Sequence, residues 1–544
     1  MRYTHNNQES VNSMNKTIWS YISDLYYKIE KRYKVCFYSA IICGLFAHIF
    51  ALTNHLYNYD ELWHTPTGFG TGTEVGRWAL SATVWIQKVL FKDAFTIPFV
   101  NGFITILLYT ITACIVVSIF DIKDEFYAAV TGALMITFPS LVCRMFFMFT
   151  THYYAIGIVM VAAGIWILVS KKHSVLNVII LLALVVYGMA IYQANFVTGV
   201  CLVVGHLLQR FIKEDVELKD VFIKCVTYVI YLGVCMISFL VSSKVALAIT
   251  GKQMETYENL DTMGQLSIPQ LIEGIVKCYK TFLKIPFKDV YGMNPNGMVR
   301  LTFLVCMVVL LYTLIKVWIS KRPMHMKVFV TLIMCVLPVG VNLIAIMAIA
   351  SGTMYSIMVY EIVYIFLIPI ACLEALRDED ATKEFTAINI LTALCLICTV
   401  VSYIWFANGN YLAMDYTNER DFTYYTVLMA QVKSVDGYKD DMAVATVGKP
   451  TYDDSFVRET VVDCVFNLAG KAETNINAYS SWNIMTRVLG FDPVMRDSDE
   501  DEAYFRSLPE VQSMPNYPDS GSIKIIDDTI VIKFQNIDEL SRGE

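Results

Sequence analysis

Asp60 and Glu61 stand side by side just beyond an apolar run, residues 35–53, that is long enough to cross a bilayer as helix. The stretch reads Asn58-Tyr59-Asp60-Glu61-Leu62-Trp63 and continues through glycine-rich sequence to Gly76-Arg77-Trp78. Acidic side chains at a membrane boundary are costly, and they mark places where something is bound or deprotonated. A solvated turn with an aromatic interface anchor is the plainer alternative. The sharper reading is a carboxylate working at the membrane surface, positioned to take a proton from a hydroxyl. Neighbouring carboxylates repel, so one of the two is expected to hold a raised pKa or to share a proton with the other. As a metal site the pair is incomplete: a divalent ion wants further oxygen ligands, and Glu74 is the near candidate.

Several cations and polar groups could serve such a carboxylate. Arg77 and Trp78 open an amphipathic segment, residues 74–90, that suits the interface. Arg77 is either a snorkelling side chain or a planar donor for a phosphate. Arg144 and His152 bracket the short turn 145–151, where a cation in so apolar a setting calls for an anionic partner, a lipid phosphate or Asp60. Lys244, within an apolar run, is read the same way. Tyr192 and Gln193 end one apolar run and Asn195 opens the next, at a depth that suits hydrogen bonds to sugar hydroxyls, or else helix capping and helix–helix contact. His55, His64, Glu361 and the aromatic set Tyr355, Tyr360 and Tyr364 carry weaker signals.

The elements that position these groups follow from composition. The chain has 544 residues, of which 56% are apolar and 17% charged. Its mean hydropathy is +0.51, which predicts a polytopic α-helical membrane protein. Eleven spans are expected, at residues 35–53, 95–119, 126–142, 153–170, 174–192, 194–210, 221–249, 299–320, 328–350, 355–375 and 386–407. Lys28, Lys31, Arg32 and Lys34 precede the first span. Lys171 and Lys172, Arg210 and Lys213, Lys321, Arg322 and Lys327, and Arg377 and Lys383 then fall on that same face. The positive-inside rule puts this face in the cytoplasm.

The predicted organisation is a cytoplasmic segment 1–34, a membrane domain 35–407 with external loops 54–94 and 251–298, and an extracytoplasmic α+β domain 408–544. Within the last, residues 418–435 read as a helix. Residues 522–534 read as a β-hairpin turning at Asp527-Asp528. Most of the fourteen cysteines lie in apolar runs as small packers, and no disulfide framework or metal spacing is visible. There is no glycine fingerprint for a nucleotide and no P-loop, and no nucleic-acid partner is implied.

Together, Asp60-Glu61, Gly76-Arg77-Trp78, the turn Ile191-Tyr192-Gln193-Ala194 and the tail segment Tyr517-Pro518-Asp519-Ser520-Gly521-Ser522-Ile523 resemble the type II bacterial glucosyltransferases, the Gtr-type enzymes that modify O-antigen. The likeness covers most of the chain. It departs in having Asp-Glu where that family's pattern leads one to expect Asp-Asp, and Asp60 is favoured as the primary carboxylate.

The resemblance implies a C-type membrane glycosyltransferase fold in the bacterial cytoplasmic membrane. It also implies an inverting transfer of a hexose, glucose being expected, from a polyprenyl-phosphate sugar donor to a surface glycan on the outer face. Under it Asp60 and Glu61 are catalytic, and Arg77, Trp78, Arg144, His152, Tyr192, Gln193 and Lys244 serve the donor and its phosphate. No cofactor is implied, and a divalent metal would serve only as an aid to the phosphate. The competing class is a transporter or flippase with the acidic pair as an ion or proton site. The surface position of the pair and the lack of an internal repeat count against it.

Overall fold

A computed structural model describes residues 18–172, 174–255, 267–349, 354–377, 382–450, 468, 475–476 and 481–534. Residues 1–17 of the expected cytoplasmic segment, residues 256–266 of the second external loop and Cys464 lie outside the described residues.

The fold is mainly helical. In chain order the principal helices are α1 (Ile18–Lys28), α2 (Lys31–Thr53), α3 (Trp78–Phe91), α4 (Pro98–Ile119), α5 (Glu125–Thr137), α6 (Pro139–Met145), α7 (Thr151–Ser170) and α8 (Val175–Ile191). They continue with α9 (Asn195–Lys213), α10 (Leu218–Thr250), α11 (Ile268–Lys284), α12 (Gly297–Ile319), α13 (Met324–Gly340), α14 (Tyr364–Leu376) and α15 (Lys383–Lys433). Among the described residues, seven helices (α2, α4, α7, α9, α10, α12 and α15) are long and apolar enough to cross a membrane. The bent pair α5–α6 would make an eighth, and α8 and α13 are apolar but shorter. This is the pattern of a polytopic membrane protein.

The expected spans differ from these helices where proline intervenes. The stretch expected as one span at 126–142 is two helices meeting at 44°. Pro139 has no N–H to continue α5 and instead opens α6, with Phe138 held extended before it. The stretch expected at 355–375 begins as short 3₁₀ turns, Ser356–Met358 and Tyr360–Val363, before α14. That irregular entry carries Glu361 into the protein interior.

Small residues set the helix crossings near the site. A Cβ on Gly188 of α8 would stand 2.4 Å from the Gly157 carbonyl oxygen of α7, so only glycine allows these two backbones to approach. At one end of the bundle Arg32 and Lys213 both bond Asp121, and Arg377 bonds Asp124, tying the starts and ends of α2, α5, α9 and α14. Arg322 bonds Asp215 across the α12–α13 and α9–α10 connections. The acidic loop leaves the opposite end of α2.

The last helix corrects an expectation. Instead of a span ending near 407 and a separate helix at 418–435, α15 runs unbroken for 51 residues, roughly 76 Å at 1.5 Å per residue. The chain turns polar after Ala407, but it holds no proline there. A buried stripe persists at alternating three- and four-residue steps: Tyr411, Met414, Asn418, Asp421, Tyr425, Leu428 and Val432. Beyond it β1 (Ala443–Val447), β2 (Met495–Arg496), β3 (Ile523–Ile526) and β4 (Thr529–Lys533) form a sheet in the order β2-β1-β4-β3. Both neighbours of β1 are parallel to it. The expected hairpin is β3–β4, turning at Asp527 and Asp528, whose φ of 50° and 52° give the left-handed turn that matches strand twist. One face of the sheet, with Val444, Ile530 and Ile532, packs on Tyr424, Tyr425 and Leu428 of α15 and on Tyr57 and Leu62 of the acidic loop.

Candidate active site

The loop after α2 is built around Asn58. Its side-chain oxygen accepts the backbone N–H groups of Asp60 at 2.9 Å and Glu61 at 2.7 Å, and its amide donates to the Phe146 carbonyl at 2.8 Å. An asparagine bonding the backbone just ahead of it turns the chain locally. This fully buried residue therefore fixes both carboxylate-bearing residues and docks them on the turn between α6 and α7. Asp60 is half-buried, and Glu61 is almost wholly buried.

The Glu61 carboxylate accepts the Phe149 N–H at 3.4 Å and faces a small cavity lined by His55, Tyr57, Met145 and Met148. Burial pushes its pKa up to about 8, and the charge of Asp60 adds to the shift, while the amides of Phe149 and Met148 oppose it. His64 lies against the Phe149 ring with centroids 4.4 Å apart. Burial, and then the Arg487 charge, lower its pKa to about 4, so its ring is neutral.

Just before the α6–α7 turn, the last turn of α6 places Arg144 in a cage of aromatic rings. Its guanidinium carbon lies 5.6 Å from the Tyr192 ring centroid and 5.1 Å from that of Tyr360, and one arm donates to the Tyr109 hydroxyl. Arg77 stands over the same Tyr192 ring at 5.1 Å, and Tyr154 stacks on that ring at 4.6 Å. Arg77, Arg144 and Tyr192 are thus brought together. Glu361 completes the cage: Thr198 donates to its Oε1 at 3.1 Å, and it lies within electrostatic reach of Arg144. Arg144 Nη2, Arg77 Nε and Glu361 Oε2 are buried and, among the described residues, have no hydrogen-bond partner. Buried polar atoms are ordinarily satisfied, so the two orphaned guanidinium nitrogens suit an anionic ligand, and the Glu361 oxygen suits a donor such as a hydroxyl.

The remaining candidates fall around this centre. Gln193 donates to the Val75 carbonyl at 2.7 Å, next to Gly76, whose φ of 78° and contact with Gln193 leave little room for a side chain. Trp78 packs edge-on against Tyr187. His152 meets the Gln87 side chain of α3 at 3.3 Å, which ties it to the amphipathic helix rather than to the cage. Lys244 does not join them, because its side chain is exposed on α10. Glu74 is held by Lys252 at 2.7 Å. Among the described residues, no three His, Cys, Asp or Glu side chains gather as a metal-ligand set.

A family model described as Glucosyl transferase GtrII matches residues 49–366. The chain belongs to the GtrII glucosyltransferase family. No curated protein and no solved structure matches it. Membership makes the chain a glycosyltransferase of the glucosyl class. The range matched to GtrII holds the acidic loop, Arg77, the α6–α7 turn, Tyr192 and Glu361, and it ends before α15 and the tail.

Sequence reasoning passed over several residues of this candidate site in the GtrII chain. Tyr109, Tyr154 and Phe149 look like ordinary apolar-run aromatics until packing turns them toward Arg144, Tyr192 and Glu61. Asn58 carried a visible signal, a short amide two and three residues before the acidic pair.

Proposed function

We propose that this GtrII glucosyltransferase moves glucose from a polyprenyl-phosphate glucose donor to a surface glycan at the outer face of the bacterial cytoplasmic membrane, inverting the anomeric centre. An acceptor hydroxyl oxygen attacks the anomeric carbon, the bond from that carbon to the phosphate oxygen breaks, and Asp60 takes the hydroxyl proton. The polyprenyl monophosphate leaves with its charge facing Arg144 and Arg77. Glu61, whose pKa burial pushes up to about 8, keeps its proton at neutral pH, and the base role falls to Asp60. The reading calls on no cofactor, and a divalent metal would serve only as an aid to the phosphate.

The observation that carries this reading is the pair of guanidinium groups over one Tyr192 ring, with Nη2 of Arg144 and Nε of Arg77 unsatisfied. Two cations gathered in apolar surroundings are stabilised by an anion that joins them. The orientation draws support from Arg32, Lys213 and Arg377, basic residues of the bundle end away from the acidic loop. A C-type fold with eleven spans, the tail outside and His152, Trp78 and Gln193 at the rim of the donor site accords with it.

The test is purified protein in liposomes with radiolabelled polyprenyl-phosphate glucose and the host's extracted surface polysaccharide. Label appearing in the polysaccharide is the expected result. Label that crosses the bilayer still attached to its lipid would identify a flippase instead.

A further inference from the structure

We propose that α15 and the tail form a clamp that sets the acidic loop, with Asn418 and Arg487 as positioning residues for Asp60 and Glu61. The inference rests on the catalytic reading of that loop and adds residues beyond the GtrII match, which ends at 366.

The clamp grips the loop on both sides of the carboxylates. On the near side the buried Asn418 side chain pairs with the backbone of Tyr57: its oxygen accepts the Tyr57 N–H at 2.7 Å, and its amide donates to the Tyr57 carbonyl at 2.8 Å. Asn475 donates to that same carbonyl at 3.1 Å, and its own N–H is held by Asp421 at 2.6 Å. On the far side Arg487 donates to the carbonyls of Trp63 at 2.6 Å and Thr65 at 3.2 Å. Tyr57 lies three residues before Asp60 and Trp63 two after Glu61, with Asn58 fixing the N–H groups between. The loop is thus fastened by side chains that come from more than 360 residues away in sequence.

The sequence of α15 points the same way. Asn418 and Asp421 occupy two positions of a stripe otherwise made of Tyr, Met, Leu and Val. A polar group in such a stripe is costly unless it is paired, and both of these pair with the structure that holds the loop. An apolar residue at either position would pack but could not fix the loop's backbone. A base must lie within hydrogen-bond reach of the proton it takes, and a displacement of about 1 Å is enough to slow transfer on the order of a hundredfold.

The experiment uses the full chain in liposomes with labelled polyprenyl-phosphate glucose and host polysaccharide, measuring rates against donor concentration and amide hydrogen exchange across residues 57–65. Asn418→Ala and Arg487→Ala should each lower kcat by roughly ten- to a hundredfold while the donor KM stays within about twofold, and exchange in the loop should quicken. Arg487→Lys should restore part of the rate. Phe505→Ala, in the separate apolar cluster on the other face of the sheet, should lower thermal stability and leave kcat unchanged. The clamp is overturned if both alanine variants keep wild-type kcat and loop exchange, or if Phe505→Ala loses as much rate as they do. Asp60→Asn is run alongside. If it turns over normally the base assignment fails, and the clamp then stands or falls on loop exchange alone.

Discussion

Glu61 and Phe149 are joined across 88 residues by a hydrogen bond from the Phe149 amide to the Glu61 carboxylate. This bond fastens the acidic loop to the turn between α6, whose last turn carries Arg144, and α7, so the carboxylates and the cationic cage are joined through one segment. Movement of the α6–α7 turn would displace both halves of the site together.

Asp60→Asn keeps shape and removes the base. Turnover should fall on the order of 10²–10⁴-fold with donor binding retained. Glu61→Gln should cost less, because a protonated glutamic acid and a glutamine resemble each other in charge and size. Donor titrations with initial rates decide between them: normal turnover in Asp60→Asn with a dead Glu61→Gln would exchange the two roles.

Glu61 also makes stability depend on pH. Its folded-state pKa of about 8 lies above the ordinary 4.5, so the folded protein holds this proton more tightly than the unfolded chain does. The contribution is fully present below pH 4.5 and is lost as pH rises through 8. The slope is at most about 1.4 kcal/mol per pH unit within that window. Thermal unfolding in detergent from pH 5 to 8 should show this decline, and Glu61→Gln should flatten it. Equal slopes in both proteins would mean that Glu61 is already ionised in the fold.

Arg77 and Arg144 should separate in their effects. Arg77 is half-buried, so Arg77→Ala should leave the protein folded and raise the donor KM on the order of tenfold or more, as loss of a phosphate contact does. Arg144 is fully buried beside Glu361, and Arg144→Ala leaves that carboxylate uncompensated, a change that costs about 3–5 kcal/mol. Binding of the labelled donor and melting temperature, measured on both variants, give the comparison. An Arg77→Ala protein with unchanged donor KM would remove that residue from the phosphate site.

Gly76→Ala places a methyl group 3.2 Å from the Gln193 amide on a backbone with φ of 78°, so it should disturb the approach to Arg77. Lys244→Ala, at an exposed position of α10, should leave transfer within about twofold of normal. Parallel rate measurements on the two variants test whether the site boundary is drawn correctly.

What the sequence determined by itself was local. Apolar runs of bilayer length locate the helices, the run of basic short loops orders their ends, and Asp527-Asp528 between isoleucine pairs makes a hairpin, because each signal lies within a few neighbouring residues. The acidic pair and the Gly-Arg-Trp segment are legible for the same reason, and they carried the family. Tertiary structure decided the rest. Asp60 and Glu61 are adjacent and chemically alike, and only packing against Met145, Met148 and Phe149 buries one and leaves the other partly open.

Arg144 and Lys244 are both cations in apolar runs. One turns inward because Pro139 bends its helix toward Tyr109 and Tyr360, and the other stays outside on an unbroken helix. The hold of Asn418 on Tyr57 spans 361 residues. Burial and long-range hydrogen bonding depend on which surfaces meet, and a linear pattern records which faces are apolar but not their partners.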